Sequence, residues 1–207
     1  RQHNGMVLEL GCGSGHLTRH LVSAGHRVIA TDASASMLAL AMTDLAGVER
    51  FHLPTFPDRR LPEVAAVVSV DHVFNYLPSE AAIRKALVSV GRALTPGGIL
   101  VMDVQDLAWG EAYRDAANQA RFTGDWALIS EFDVPEPETF LRRHITFVRN
   151  DDGTWRRGEE VHRNVLLNTR ELPPFLSDHQ LDAQIGTAFG DEQLPAGLMT
   201  LVARKSL

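Results

Sequence analysis

The chain has 207 residues, enough for one α/β domain with a sizeable core and hardly enough for two. Its formal net charge of −6 gives no electrostatic footprint for nucleic acid or an acidic membrane. One cysteine, Cys12, excludes an internal disulfide and suits a reducing compartment. With no apolar run of membrane length and no secretory signal, a cytoplasmic protein is expected. The chain starts at Arg1, just ahead of its first strand, so a segment upstream is expected as well.

Residues 6–10 (MVLEL) form a buried strand, and residues 16–24 a helix with Leu17, Leu21 and Val22 inward. Gly25 stands where a helix stops. Residues 27–30 are a second strand. A helix opens at Ser34 and runs to Leu45, carrying Met37, Leu38, Leu40 and Ala41. Residues 49–53 are a third strand, followed by a loop with Pro54, Pro57 and Pro62. Residues 64–70 are unbroken in apolar character, as a central parallel strand should be. Ser79 caps a helix that has Glu80 in its first turn and runs to about Leu94. The turn signal TPGG (95–98) precedes a fifth strand at 99–104. Strands alternating with helices imply a parallel sheet. After residue 104 the pattern changes. Residues 126–133, 139–150 and 154–167 read as antiparallel strands, with NDDG (150–153) as a hairpin turn. A short helix over 169–179 and a strand pair at 181–189 and 198–203 end the chain.

The first strand runs into Gly11, Gly13 and Gly15, a G-x-G-x-G turn, with His16 where a dinucleotide fingerprint wants its last glycine. Glycine at a strand-to-helix turn lets backbone approach a ligand, and the helix start offers free amides. Glu9 precedes the turn. A carboxylate there disfavours a pyrophosphate and favours a ligand with an ammonium group. Asp32 ends the second strand and can accept from both hydroxyls of a ribose. A ligand with an adenosine-like ribose at one end and an amino acid at the other satisfies both acids.

VLELGCGSG followed by VIATDAS resembles the class I S-adenosylmethionine-dependent methyltransferases, and ALTPGGILVMDV is similar to a later landmark of the same family. The closing LMTLVARK looks like that fold's reversed last strand. The resemblance implies an α/β Rossmann-like fold: a seven-stranded sheet with its last strand antiparallel, helices on both faces and a small antiparallel β insert. The core would comprise 1–104 and 169–207, with 105–168 as an insert or lid. It also implies S-adenosyl-L-methionine as cofactor, S-adenosyl-L-homocysteine as product, and a methyl transfer to nitrogen or oxygen of a small-molecule acceptor. By the same resemblance, Glu9, Gly11, Cys12, Gly13 and Gly15 surround the methionine part. Asp32 and Ala33 hold the ribose, and Met37 lies on the adenine. Where the family often has an acid after the third strand, this chain has Pro54 and Thr55, so backbone and apolar contacts would hold the adenine. Val70 and Asp71 approach the cofactor's amino group, and His72 to Tyr76 face the acceptor.

Other readings stay open at each position. The glycines can serve the turn alone, Asp32 can cap a helix, Met37 can be core, and Cys12 can be a buried filler, having no basic partner near it in sequence. Trp109 and Tyr113 follow the fifth strand, where the acceptor pocket is often built. Along 154–167, Arg156, Glu160, His162 and Asn164 share one face, either turned to water or lining a pocket. The opposite, apolar face can pack on the main domain or a second subunit, which leaves a homodimer open. A tight turn at Asp151 and Asp152 would pair Arg143 with Glu160 and Leu141 with His162, leaving His162 free to act as a base beside His72, with Tyr76 orienting the acceptor. No metal spacing stands out. No nucleic-acid or membrane partner is expected. A NAD(P)-dependent oxidoreductase would share the sheet but is disfavoured by the glycine spacing and Glu9. A non-catalytic S-adenosylmethionine-binding protein would keep the first motif.

Overall fold

The computed structural model describes residues 5–41, 43, 45, 47–53 and 56–207. The first half alternates strand and helix: β1 (Met6–Leu10), α1 (His16–Ser23), β2 (Arg27–Asp32), α2 (Ala35–Ala41), β3 (Glu49–His52), β4 (Val64–Ser69), α3 (Glu80–Ala93) and β5 (Leu94–Gln105). A 3-10 turn, Val73–Tyr76, follows β4. Then come α4 (Leu107–Tyr113), β6 (Gln119–Phe122), β7 (Trp126–Glu136), β8 (Thr139–Arg149), β9 (Trp155–Val165), α5 (Leu172–Ser177), β10 (Leu181–Gly186), β11 (Ala188–Phe189), β12 (Glu192–Gln193) and β13 (Leu198–Lys205).

The main sheet has seven strands in the order β10-β13-β5-β4-β1-β2-β3. β1 lies parallel to β2 on one side and β4 on the other, and β13 is antiparallel to both neighbours. This is the expected seven-stranded sheet with a reversed last strand. Leu8, Val67 and Leu100, on three adjacent strands, are fully buried, because helices cover both faces. Ile29 packs in the cluster that takes Ile83, Leu87 and Val90 of α3. Its neighbour Ala30 packs with Leu38 and Ala41 of α2 and with Cys12. Successive strand residues point to opposite faces, so α3 and α2 lie on opposite sides of the sheet. Ser79 caps α3 as expected, its hydroxyl accepting the Ala82 N–H at 3.2 Å. Among the described residues no helix is long and apolar enough to cross a membrane.

A second, four-stranded antiparallel sheet runs β6-β7-β8-β9. It is fastened to the first through Trp109, Val134, Phe140 and Leu166, which form a buried cluster with Leu198 of β13 packed against it.

Two local expectations are corrected, and one stretch holds elements that the sequence did not reveal. TPGG does not separate helix from strand: β5 starts at Leu94 and bulges through it, pairing Val64↔Leu94 and then Ala66↔Ile99. A Cβ on Gly98 would stand 2.9 Å from the Ala65 carbonyl oxygen, so the bulge needs a glycine there. Helix α4 and strand β6 fall in a stretch with no clear period; seven residues containing Gly110 are too few to show one. The β8–β9 turn is one residue wider than a tight hairpin, closed by Asn150 N–H to the Thr154 carbonyl at 2.8 Å with Gly153 at φ 83°. That slip of one shifts every pair, so Arg142 faces His162, His144 faces Glu160, and Arg143 faces Val161.

Candidate active site

The glycine turn is held at the carboxyl end of β1. Gly11 and Cys12 donate their N–H groups to the Thr31 carbonyl at 2.9 and 2.8 Å. All three glycines have positive φ, but they differ in what surrounds them. A Cβ on Gly11 would lie 2.5 Å from Val73 Cγ2, and one on Gly15 would lie 2.9 Å from Leu45 Cδ1. A Cβ on Gly13 would meet only Met37 Cε, at 3.8 Å. Packing therefore demands the first and third glycines, while the second faces open room beneath a 39% exposed Met37.

Asp32 is tied into this turn. Its two oxygens accept from Gly13 N–H at 2.8 Å and Ser34 N–H at 2.7 Å. It thus braces the turn ahead of α2, whose Ser34 hydroxyl accepts the Met37 N–H at 3.3 Å, and still keeps lone pairs on each oxygen. Ala33 accepts from His52 Nε2 at 2.7 Å through its carbonyl. Glu9 is buried under the turn, accepting from the Thr18 hydroxyl at 2.6 Å. Burial raises its pKa, the Thr18 hydrogen bond lowers it in part, and Asp32's charge adds to the rise. Cys12 is buried, and burial, with the charges of Glu9 and Asp32, lifts its thiol to about 12. Thr55, expected near the adenine, lies outside the described residues.

The segment after β4 meets the turn directly, since Val73 is the residue that crowds Gly11. Val70 is half-buried and the Asp71 side chain is exposed. Asp71 and His72 both hold left-handed backbone, at φ 71° and 47°, a rare conformation for non-glycine residues. Asp103 of β5 holds them there: its carboxylate accepts the Asp71 and His72 N–H groups at 3.0 and 2.7 Å. Burial raises the Asp103 pKa, and the same two N–H groups pull it partly back. Asn75 joins three elements, donating to the Gln105 and Val165 carbonyls at 3.1 and 2.6 Å and accepting the Gln105 N–H at 2.9 Å.

Around this joint the side chains converge. The His72 ring stacks on Tyr76 with centroids 5.9 Å apart and lies 6.3 Å from Trp109. Burial drives the His72 pKa down to about 4; Asp71 opposes this, and Arg142 and His162 reinforce it. The Tyr76 hydroxyl accepts from Arg142 Nη2 at 3.1 Å and lies 3.3 Å from His162 Nδ1. His162 Nε2 is 3.5 Å from Glu160. The wider turn brings Arg142 opposite His162, in place of the expected Leu141, and sets Tyr76 beside it. Arg143, expected on Glu160, instead takes Glu159 and Glu131 at 2.7 and 3.1 Å.

Buried side-chain N and O atoms without a partner among the described residues gather in this region: His72 Nε2, both amide atoms of Gln105 and of Asn164, Trp109 Nε1 and Arg142 Nε. Such groups are normally paired, so their concentration marks a place built to meet polar atoms. The sequence reading placed His72 to Tyr76, His162, Asn164 and Trp109 here but missed Asp103, Gln105 and Arg142. A signal existed for Asp103 and Gln105, two polar residues in an otherwise apolar strand, MDVQ. Among the described residues no three His, Cys, Asp or Glu gather as a metal site. A cleft of about 990 Å³ lined by Asp58, Arg60, Lys85 and Arg92 includes Glu49 and Glu63, at the amino ends of β3 and β4, and none of the residues above.

Residues 7–98 match the family model of a methyltransferase domain. A protein of Geobacillus sp. (strain WCH70) named as a methyltransferase is 26% identical over 188 residues, 86% of this chain and 74% of that one. An S-adenosylmethionine-dependent methyltransferase from Clostridium acetobutylicum ATCC 824 superposes with a TM-score of 0.83 at 16% identity, covering 98% of this chain and 84% of that one. The sugar N-methyltransferase KedS8 from Streptoalloteichus sp. ATCC 53650 superposes with a TM-score of 0.80 at 18% identity, covering 98% and 80%. Residues 7–98 thus match a methyltransferase domain, and the whole chain has the fold of solved S-adenosylmethionine-dependent methyltransferases.

Proposed function

We propose that the protein binds S-adenosyl-L-methionine at the glycine turn and transfers its methyl group to a nitrogen or oxygen of a small molecule, in the reducing setting of the cytoplasm. The observation that carries this is the contact of the two halves of the site. The turn bearing His72 packs through Val73 on Gly11, so the unpaired polar groups border the cofactor turn.

The residues present fit the cofactor. Gly13 leaves room beside Met37, and Asp32 retains acceptor capacity toward two ribose hydroxyls. When bound, S-adenosylmethionine supplies a methyl group already activated on a sulfonium, so the protein's task is to align the acceptor and exclude water. His72 is neutral at physiological pH, and its unpaired Nε2 is the group to take a proton from an acceptor that arrives protonated. Tyr76 orients the acceptor, and His162 and Arg142 fix Tyr76. Residues 105–168 act as a lid over the acceptor. The sugar N-methyltransferase among the structural neighbours supports a polar, ring-sized small molecule.

Calorimetry with S-adenosylhomocysteine tests the cofactor site. Asp32→Ala is expected to weaken binding by about 1.5–3 kcal/mol, the range for hydrogen bonds to a charged group. Unchanged affinity would refute the ribose role.

A further inference from the structure

Arg142 lies on the face of β8 that also carries Phe140 and His144, directly across from the β9 face of Glu160, His162 and Asn164. Its guanidinium makes one hydrogen bond among the described residues, from Nη2 to the Tyr76 hydroxyl at 3.1 Å, and its Nε is buried without a partner. Among the described residues no carboxylate pairs with it. Glu160 sits with His162 at 3.5 Å, and Asp71 sits with His72 at 3.5 Å. The next residue, Arg143, points to the opposite face and takes two carboxylates, Glu131 and Glu159.

The contrast is informative. A guanidinium does not give up its proton in proteins, so Arg142 carries its charge half-buried and uncompensated. Leaving a desolvated cation unpaired is costly. Its surroundings are dipoles and imidazoles: Tyr76, His162, His144 and His72. The charge of Arg142 helps to hold His144 and His72 in their neutral forms, against Glu160 and Asp71, neither of which pairs with the guanidinium itself.

We propose that Arg142 binds an anionic group of the methyl acceptor, a carboxylate or a phosphate, through its half-buried guanidinium, and thereby decides the acceptor class. This rests on the reading of the region around His72 and Tyr76 as a methyl-transfer site. The arrangement has a consequence for the neighbouring base. An anion on Arg142 neutralises the charge that presses on His72, so binding of the right acceptor raises the proton affinity of the imidazole expected to serve it.

The test uses the intact chain saturated with S-adenosylhomocysteine. Inorganic phosphate and then acetate are titrated in, with sodium chloride at matched ionic strength as control, while the Arg142 Nε–H resonance is followed by NMR. That resonance is assigned by its loss in R142K. A saturable shift with phosphate or acetate and none with chloride is expected, and the anion that saturates first tells phosphate from carboxylate. R142Q should bind that anion about tenfold more weakly or worse, with S-adenosylhomocysteine affinity within about twofold of wild type. Should R142Q not fold, R142K carries the test. It keeps the charge and loses the Nε–H, and about threefold weaker anion binding is expected. A resonance that ignores both anions, or shifts equally in chloride, overturns the proposal, as do variants that bind the anion like wild type. Failure of wild type to bind S-adenosylhomocysteine would instead bring down the cofactor reading, and the two failures are read separately.

Discussion

Asn75→Ala probes the joint on which the acceptor side of the site is built. The side chain is fully buried and makes three hydrogen bonds, two to Gln105 and one to Val165. Each is worth about 1 kcal/mol net, and truncation strands partners that are themselves buried. The loss is therefore about 3–4 kcal/mol. For a chain of this size each kcal/mol shifts Tm by about 2–4 °C, which places the change at about 6–16 °C. Calorimetric melting measures it. Asn75→Asp gives the sharper control, because it keeps the shape while turning an acceptor toward two carbonyls. Asp should destabilise more than Ala. If Asp proves milder than Ala, or Ala costs under about 1 kcal/mol, Asn75 merely fills space and the joint is held by something else.

Three further outcomes follow from the same geometry. His72 has a native pKa near 4 against about 6.5 unfolded, so its contribution is complete above pH 6.5 and lost as pH falls toward 4, where only the unfolded chain takes the proton. Glu9 and Asp103, with raised pKa values, contribute in the opposite sense. Melting curves of wild type and His72→Gln between pH 7 and 4 should therefore converge with acidification, and parallel curves would refute the burial argument. Cys12, with its thiol near 12, should react with iodoacetamide at pH 8 about a thousandfold more slowly than free cysteine; labelling at the free rate would contradict its placement. Gly197 has φ +81°, and a Cβ there would stand 2.2 Å from the backbone nitrogen of Trp109. Gly197→Ala should displace α4, change tryptophan emission and cost about 1–3 kcal/mol; an unchanged spectrum and Tm would show that the contact yields freely.

What the sequence made legible is what local chemistry determines. The glycine turn, Asp32 and the apolar strands speak within windows of ten residues, and the parallel sheet follows from their alternation. Asp103 and Asn75 act on residues about thirty and ninety positions away, and no local pattern reports such a partner. Arg142 and Arg143 are adjacent and chemically alike. Which of them meets His162 depends on a single residue of turn width, and strand periodicity turns that one residue into opposite faces. Short α4 failed for a different reason: its place is set by Gly197 and Leu166 pressing on its backbone, and seven residues carry too little period to be seen.

The acceptor chemistry can be narrowed by weighing the site's polar groups against one another. His72 Nε2, the Gln105 and Asn164 amides and Trp109 Nε1 are neutral valences without partners, and each unmade bond costs about 1–3 kcal/mol. Scattered through a core they would consume a stability that totals only about 5–15 kcal/mol. They are instead gathered at the joint between the two sheets. The three acids near them already have neighbours: backbone N–H groups for Asp103, His72 for Asp71 and His162 for Glu160. The fixed, uncompensated charge among them is the cation Arg142. An ammonium group would be repelled there, so a nitrogen acceptor must present its amine uncharged. A hydroxyl or carboxylate oxygen meets no such penalty, and an anion elsewhere on the same molecule would draw it in. If the proposed methyl transfer holds, the electrostatics favour an acceptor that is polar, bears a negative group near Arg142 and offers its nucleophile as a neutral or anionic atom beside His72.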